Sequence, residues 1–128
     1  MTEIAKRLRL VRNRVYEAAE RAGREPEDIT IVAVTKNVDD MDIMEAVGEG
    51  VSILGENRVQ EARAKFERLG NEIDGNKVSW HLVGHLQRNK VRHALPIFEL
   101  IHSLDSWKLA QEMEKVAERL DVTVECLL

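Results

Sequence analysis

Five short apolar runs, set between segments of helical periodicity, constrain this chain more than any other feature. They lie at about 29–35, 51–54, 78–83, 99–104 and from Val122 to Leu128. A run that is apolar throughout, rather than at every second position, belongs to a parallel strand covered on both faces. Strands that alternate with helices make βα units, so the expected fold class is α/β with a parallel sheet.

The intervening segments support this. Ile4, Leu8, Val11, Val15, Ala18, Ala19 and Ala22 recur at helical spacing before Gly23, which predicts an N-terminal helix over about 2–21. Met41, Met44 and Val47 form a core stripe on a second helix over about 40–48. Asn57 with Gln60 three residues on fits an N-cap with a capping-box partner, opening a helix that runs to about Leu69. Gly70 to Asn76 reads as loop, and Gln87 to Ala94 as a short helix stopped by Pro96. Asp105 or Ser106 caps a last helix from Trp107 to Leu120.

Composition narrows the function classes. A net charge of −4 argues against a nucleic-acid binder, because that affinity comes from clustered Lys and Arg. The basic residues Lys6, Arg7, Arg9, Arg12 and Arg14 are interleaved with apolar ones and read as a solvated helix face. No apolar run reaches the roughly 18 residues that cross a bilayer, and the N-terminus does not read as a signal peptide, so a cytoplasmic protein is expected. The single cysteine, Cys126, lies in an apolar segment and is expected to be a buried structural thiol.

Lys36 stands where the first run gives way to Asn37-Val38-Asp39-Asp40. The carboxyl ends of parallel strands form the active face of such folds, and an amine delivered there suits imine formation with a carbonyl. The position also suits a solvated lysine, and the residue alone leaves both readings open. Thr35 should point to the opposite face and serve packing or a backbone group. Asn57 follows the second strand, and its amide offers donors and an acceptor. His81 alternates with Trp80 and Leu82; His102 and Ser103 lie near the end of the fourth strand, with packing an equal alternative. His81 and His85 would have metal-ligand spacing only on a helix, so no metal site is expected. Glu56 and Asp105 lie near strand ends without a readable pairing, and no catalytic acid or base is assigned.

Four motifs form an ordered set: Val32-Ala33-Val34-Thr35-Lys36, Gly55-Glu56-Asn57-Arg58-Val59-Gln60-Glu61, Trp80-His81-Leu82-Val83-Gly84-His85-Leu86-Gln87-Arg88-Asn89-Lys90 and Ile101-His102-Ser103-Leu104-Asp105-Ser106. From about Ile29 onward the chain resembles the pyridoxal-phosphate homeostasis proteins, whose fold is similar to the N-terminal barrel of alanine racemase. The resemblance implies that Lys36 carries pyridoxal 5′-phosphate (PLP) as a Schiff base and that the Trp80-His81 to Gly84 stretch lines the pocket, which makes His81, Asn57 (toward a ring substituent) and Ser103 the further cofactor-binding candidates. His85 departs from the small or proline residue associated with its position and is given no role.

The resemblance further implies a (β/α) barrel, here one partial domain over 1–128 with about five strands and an extra N-terminal helix, 1–23, packed on it. A full barrel needs eight strands and about 250 residues. The family's Ser- and Gly-rich phosphate segment has no counterpart in this sequence, which predicts weaker cofactor binding than in a longer relative. The open edge near Val122 predicts self-association. The leading reading is a cofactor-homeostasis protein without its own turnover, passing PLP to apo-enzyme partners. The alternatives are a racemase-like enzyme fragment and an open α/β interaction or nucleotide-binding module; Thr35-Lys36-Asn37-Val38 lacks the glycines that the last would need.

Overall fold

Five strands lie side by side and all run in the same direction. The computed structural model describes residues 1–128. Helix α1 (Glu3–Arg21) and a 3-10 turn (Pro26–Asp28) precede β1 (Ala33–Val34), α2 (Asp40–Gly48), β2 (Ile53–Glu56) and α3 (Val59–Leu69). A hairpin of β3 (Glu72–Ile73) and β4 (Asn76–Lys77) leads to β5 (Ser79–Leu82), a second 3-10 turn (Arg88–Lys90) and α4 (Val91–Ala94). The chain closes with β6 (Phe98–Ile101), α5 (Trp107–Leu120) and β7 (Glu125–Cys126). The sheet order is β1-β2-β5-β6-β7, every pair parallel, so each strand is joined to the next by a crossover, as in a partial (β/α) barrel.

The two faces of the sheet differ. Leu54, Trp80, Leu82 and Ile101 are at most 1% exposed and form the core with Ile43, Val47, Ala62, Leu109 and Met113 of the helices. Trp80 meets Phe66 edge to face with ring centres 6.1 Å apart, and its indole N–H donates to the Gly70 carbonyl at 2.9 Å. The other face carries the intervening residues, aligned by register: Val34 beside Gly55, Gly55 beside His81, His81 beside Leu100, and Leu100 beside Glu125. Val34 is half exposed there. The expectation of cover on both faces is therefore corrected: helices cover one face, and the face that would point to a barrel axis is open.

Three local expectations also change. Helix α3 starts at Val59 with Arg58 in the N-cap position and no side-chain cap, so Asn57 is not the cap. The parallel ladder runs just past β2, where the Val83 N–H donates to the Glu56 carbonyl at 2.9 Å, and the chain bends at Asn57 before the helix begins. The expected loop 70–76 contains the β3-β4 hairpin, turned by Asp74 (φ 49°) and Gly75 (φ 80°), both left-handed. Asp-Gly is the residue pair that favours a tight hairpin turn, because both positions take a left-handed φ. Cys126 is exposed rather than buried, because β7 is the last strand of the sheet and has no neighbour on its far side. The cap of α5 is Ser106, whose hydroxyl accepts from the Leu109 N–H at 3.1 Å.

Candidate functional site

Lys36 sits in a turn just beyond β1, not at a buried strand mouth. The Thr35 N–H still pairs with the Gly55 carbonyl at 2.9 Å, and the Val38 N–H then closes a turn back onto the Thr35 carbonyl at 3.1 Å. Asn37 takes the left-handed φ of 58° that this reversal needs, a conformation Asn tolerates better than most residues. Lys36 is exposed, and its amine makes no hydrogen bond or ion pair within the chain.

Behind the turn lies a buried charge cluster that the sequence reading missed. Glu56 (0% exposed) and Lys65 (4%) pair with Nζ to Oε2 at 3.2 Å and Nζ to Oε1 at 3.3 Å. The Thr35 hydroxyl donates to the same Glu56 carboxylate, and Lys65 Nζ also reaches the Thr35 carbonyl at 2.5 Å and Glu61 at 3.2 Å. Thr35 thus faces away from Lys36 and satisfies polar groups. A signal for Lys65 exists in the sequence: it falls between Ala62 and Leu69 at spacings of three and four, inside the apolar stripe of α3.

The loops after β2, β5 and β6 meet at Gly84. A Cβ on Gly84 would stand 2.3 Å from the Asn57 carbonyl oxygen, so only glycine permits this approach. The Ser103 hydroxyl donates to the Gly84 carbonyl at 2.7 Å. Asn57 is half-buried with an unpaired side-chain amide, and lines an open polar cavity of about 380 Å³ with Arg58, Gln60, Gly84, His85 and Lys90. Lys36, His81 and Ser103 do not line that cavity. The structure therefore brings Asn57 and Ser103 together through Gly84, and places Lys36 on the adjacent turn.

His81 lies within β5 on the open face, its Nδ1 3.0 Å from His102 Nε2 with ring centres 5.2 Å apart. Burial first, then repulsion from His102, holds its pKa below the usual histidine value, against the weaker pull of Glu99 and Glu125. A folded-state pKa below the unfolded one means that the folded chain binds fewer protons, so this contribution to stability is lost as pH falls below about 6.5. The melting temperature is expected to drop more between pH 7.5 and 5.5 in the unsubstituted protein than in His81→Gln. Equal drops would remove His81 as the cause.

Glu56 and Asp105 now have partners: Glu56 has Lys65, and Asp105 has His85 at 3.4 Å on the surface. No group of three or more His, Cys, Asp or Glu side chains is arranged to hold a metal ion. No helix is long and apolar enough to cross a membrane.

The chain is 38% identical over 122 residues to the pyridoxal phosphate homeostasis protein of Aquifex aeolicus, covering 95% of this chain and 52% of that protein. It is 37% identical over 113 residues to the protein of the same name from Escherichia coli K12, covering 88% and 48%. The chain belongs to the pyridoxal phosphate homeostasis family and matches its N-terminal portion. It spans about half the length of the curated family members it matches. PipY of Synechococcus elongatus PCC7942, solved with PLP bound, superimposes on 98% of this chain with a TM-score of 0.76 and 38% identity, over 53% of PipY. A protein from Bifidobacterium adolescentis gives a TM-score of 0.89 at 35% identity, over 98% of this chain and 54% of that one. No protein-family model matches the chain.

Proposed function

We propose that this chain supplies the lysine-bearing part of a PLP-binding homeostasis protein, with Lys36 as the point of covalent attachment. One observation carries the reading. Of the two lysines beside the β1 and β2 ends, Lys65 is buried and held by Glu56, Glu61 and the Thr35 carbonyl, whereas Lys36 is exposed with a free amine. An amine that reacts with an aldehyde must be both accessible and unpaired.

The neighbouring residues fit the cofactor's chemistry. The unpaired amide of Asn57 suits a ring hydroxyl, and a neutral imidazole at His81 suits an aromatic ring on the open face. Ser103, already bonded to Gly84, orients the loop more than it offers a free hydroxyl. When bound, PLP supplies a reactive aldehyde carried on an electron-withdrawing ring. What the chain supplies is a tethered amine and a polar rim, without a paired acid and base for turnover. The protein then works as a carrier in the cytoplasm, passing the cofactor to apo-enzymes in transient contacts. No observation favours the racemase-like or nucleotide-module alternatives.

The test is direct. After mixing with PLP and reduction with borohydride, peptide mapping is expected to find the pyridoxyl group on Lys36, and Lys36→Ala is expected to lose that peptide's adduct. A wild-type adduct confined to Lys90 or Lys108 would defeat the assignment.

We propose also that the chain self-associates along its open edge and face: Val122 and Leu127 are 44% and 48% exposed beside the unpaired outer side of β7, and Val34 is 50% exposed on the open face of β1 at the other edge of the sheet. Sedimentation over a concentration series should show dimers or larger species. A monomer at the highest concentration would refute this.

A further inference from the structure

We propose that α3 is the positioning element of the Lys36 turn, acting through Glu61, Lys65 and Arg68. The proposal rests on the reading of Lys36 as the attachment point. The three residues follow each other at spacings of four and three, which places them on one face of the helix. Each grips a different atom group of segment 35–40. Lys65 Nζ donates to the Thr35 carbonyl at 2.5 Å, and Glu61 Oε1 accepts from the Asn37 N–H at 2.9 Å. The Arg68 guanidinium holds both oxygens of Asp40, at 2.6 and 3.0 Å.

These contacts bracket Lys36 without touching its side chain. The residue before it, the residue after it and the first residue of α2 are all tied to one rigid helix, and Lys65 ties that helix to β2 through Glu56. The backbone of the reactive residue is thereby fixed while its amine stays free. Each grip involves an ionised group, and such hydrogen bonds are stronger than neutral ones. In keeping with this, the Asn37 N–H chiefly, with help from Lys65, holds the Glu61 carboxyl below its ordinary range; Arg68 does the same for Asp40. A fixed backbone lowers the ordering cost of binding, because the turn does not have to be immobilised when the ligand arrives. No element of the pocket proposed above includes these three side chains, so their role is indirect.

Glu61 is the residue to test, since it is partly exposed and its hydrogen bond falls next to Lys36. Two readouts are needed. The first is amide hydrogen exchange over residues 35–40, measured without cofactor. The second is the rate at which borohydride traps a pyridoxyl adduct on Lys36 after mixing with PLP. In Glu61→Ala, exchange at Asn37 should accelerate and trapping at Lys36 should slow, each by about tenfold or more, the weight of a hydrogen bond to a charged group. Glu61→Gln keeps an acceptor oxygen and should restore most of both. Met113→Ala, a core substitution in α5, should lower stability without slowing the trapping. The positioning role is overturned if Glu61→Ala exchanges and traps like the unsubstituted protein, if Glu61→Gln is as impaired as Glu61→Ala, or if Met113→Ala slows trapping equally. Absence of a Lys36 adduct in the unsubstituted protein overturns the functional reading, and the role with it; normal trapping in Glu61→Ala overturns the role alone.

Discussion

Lys65→Ala is expected to cost about 3–5 kcal/mol of folding stability, the usual penalty for removing one partner of a buried ion pair. Glu56 is fully buried, and Lys65 is the only cation within ion-pairing distance of it. Without Lys65 the carboxylate keeps just the Thr35 hydroxyl, and the Thr35 carbonyl loses a donor. In a domain of this size the loss corresponds to a fall in melting temperature of about 10 °C or more. A double variant, Glu56→Leu with Lys65→Met, removes both charges and keeps the volume. It should be markedly more stable than Lys65→Ala, because the cost lies in the stranded charge rather than in the missing pair. Thermal unfolding of the three proteins decides the matter. A loss below 1 kcal/mol for Lys65→Ala would show that water reaches Glu56 and that the pair is not buried in solution.

Gly84→Ala is expected to lower both stability and cofactor retention. The added methyl would stand 2.3 Å from the Asn57 oxygen, 2.8 Å from its Cα and 2.9 Å from its carbonyl carbon, all backbone atoms. Backbone cannot swing aside as a side-chain tip can, so the loops after β2 and β5 must part, at the 1–3 kcal/mol or more typical of overpacking. Parting them also moves the carbonyl that receives the Ser103 hydroxyl. Gly55→Ala provides the contrast. Its methyl meets the Val32 side chain at 2.9 Å, which can yield, so the smaller loss is expected there. If the two variants melted alike and retained PLP alike, the three-loop junction at Gly84 would not be what holds the site together.

Both predictions concern residues that the motifs contain but whose roles the motifs do not reveal. Gly84 is visible as part of Trp80-His81-Leu82-Val83-Gly84, yet nothing in that string says that Asn57 lies against it, because the contact spans two strands and a crossover. Glu56 was visible at a strand end without a partner. Its partner lies nine residues on, and only the path of the chain from β2 into α3 turns that separation into contact. Lys65 carried a faint sign, a lysine inside an apolar stripe, but the same sign is given by a lysine whose stem is buried and whose amine reaches water. Cys126 is exposed despite its apolar neighbours, because such neighbours imply burial only where a further layer covers them.

By itself, the sequence determined the parallel α/β class, the positions of the five strands of the main sheet and of the five helices, and the arrival of Lys36, Asn57 and Ser103 near strand ends. These follow from periodicity and turn chemistry, which act over a few residues and so can be read locally. Tertiary structure alone decided that helices cover one face of the sheet, that Lys65 is locked while Lys36 is free, and that Ser103 faces a carbonyl rather than open space. Each of these depends on which distant segments come within about 3 Å of each other. Hydrogen bonds and ion pairs have their force only at that range, and a linear pattern of residue types does not specify it.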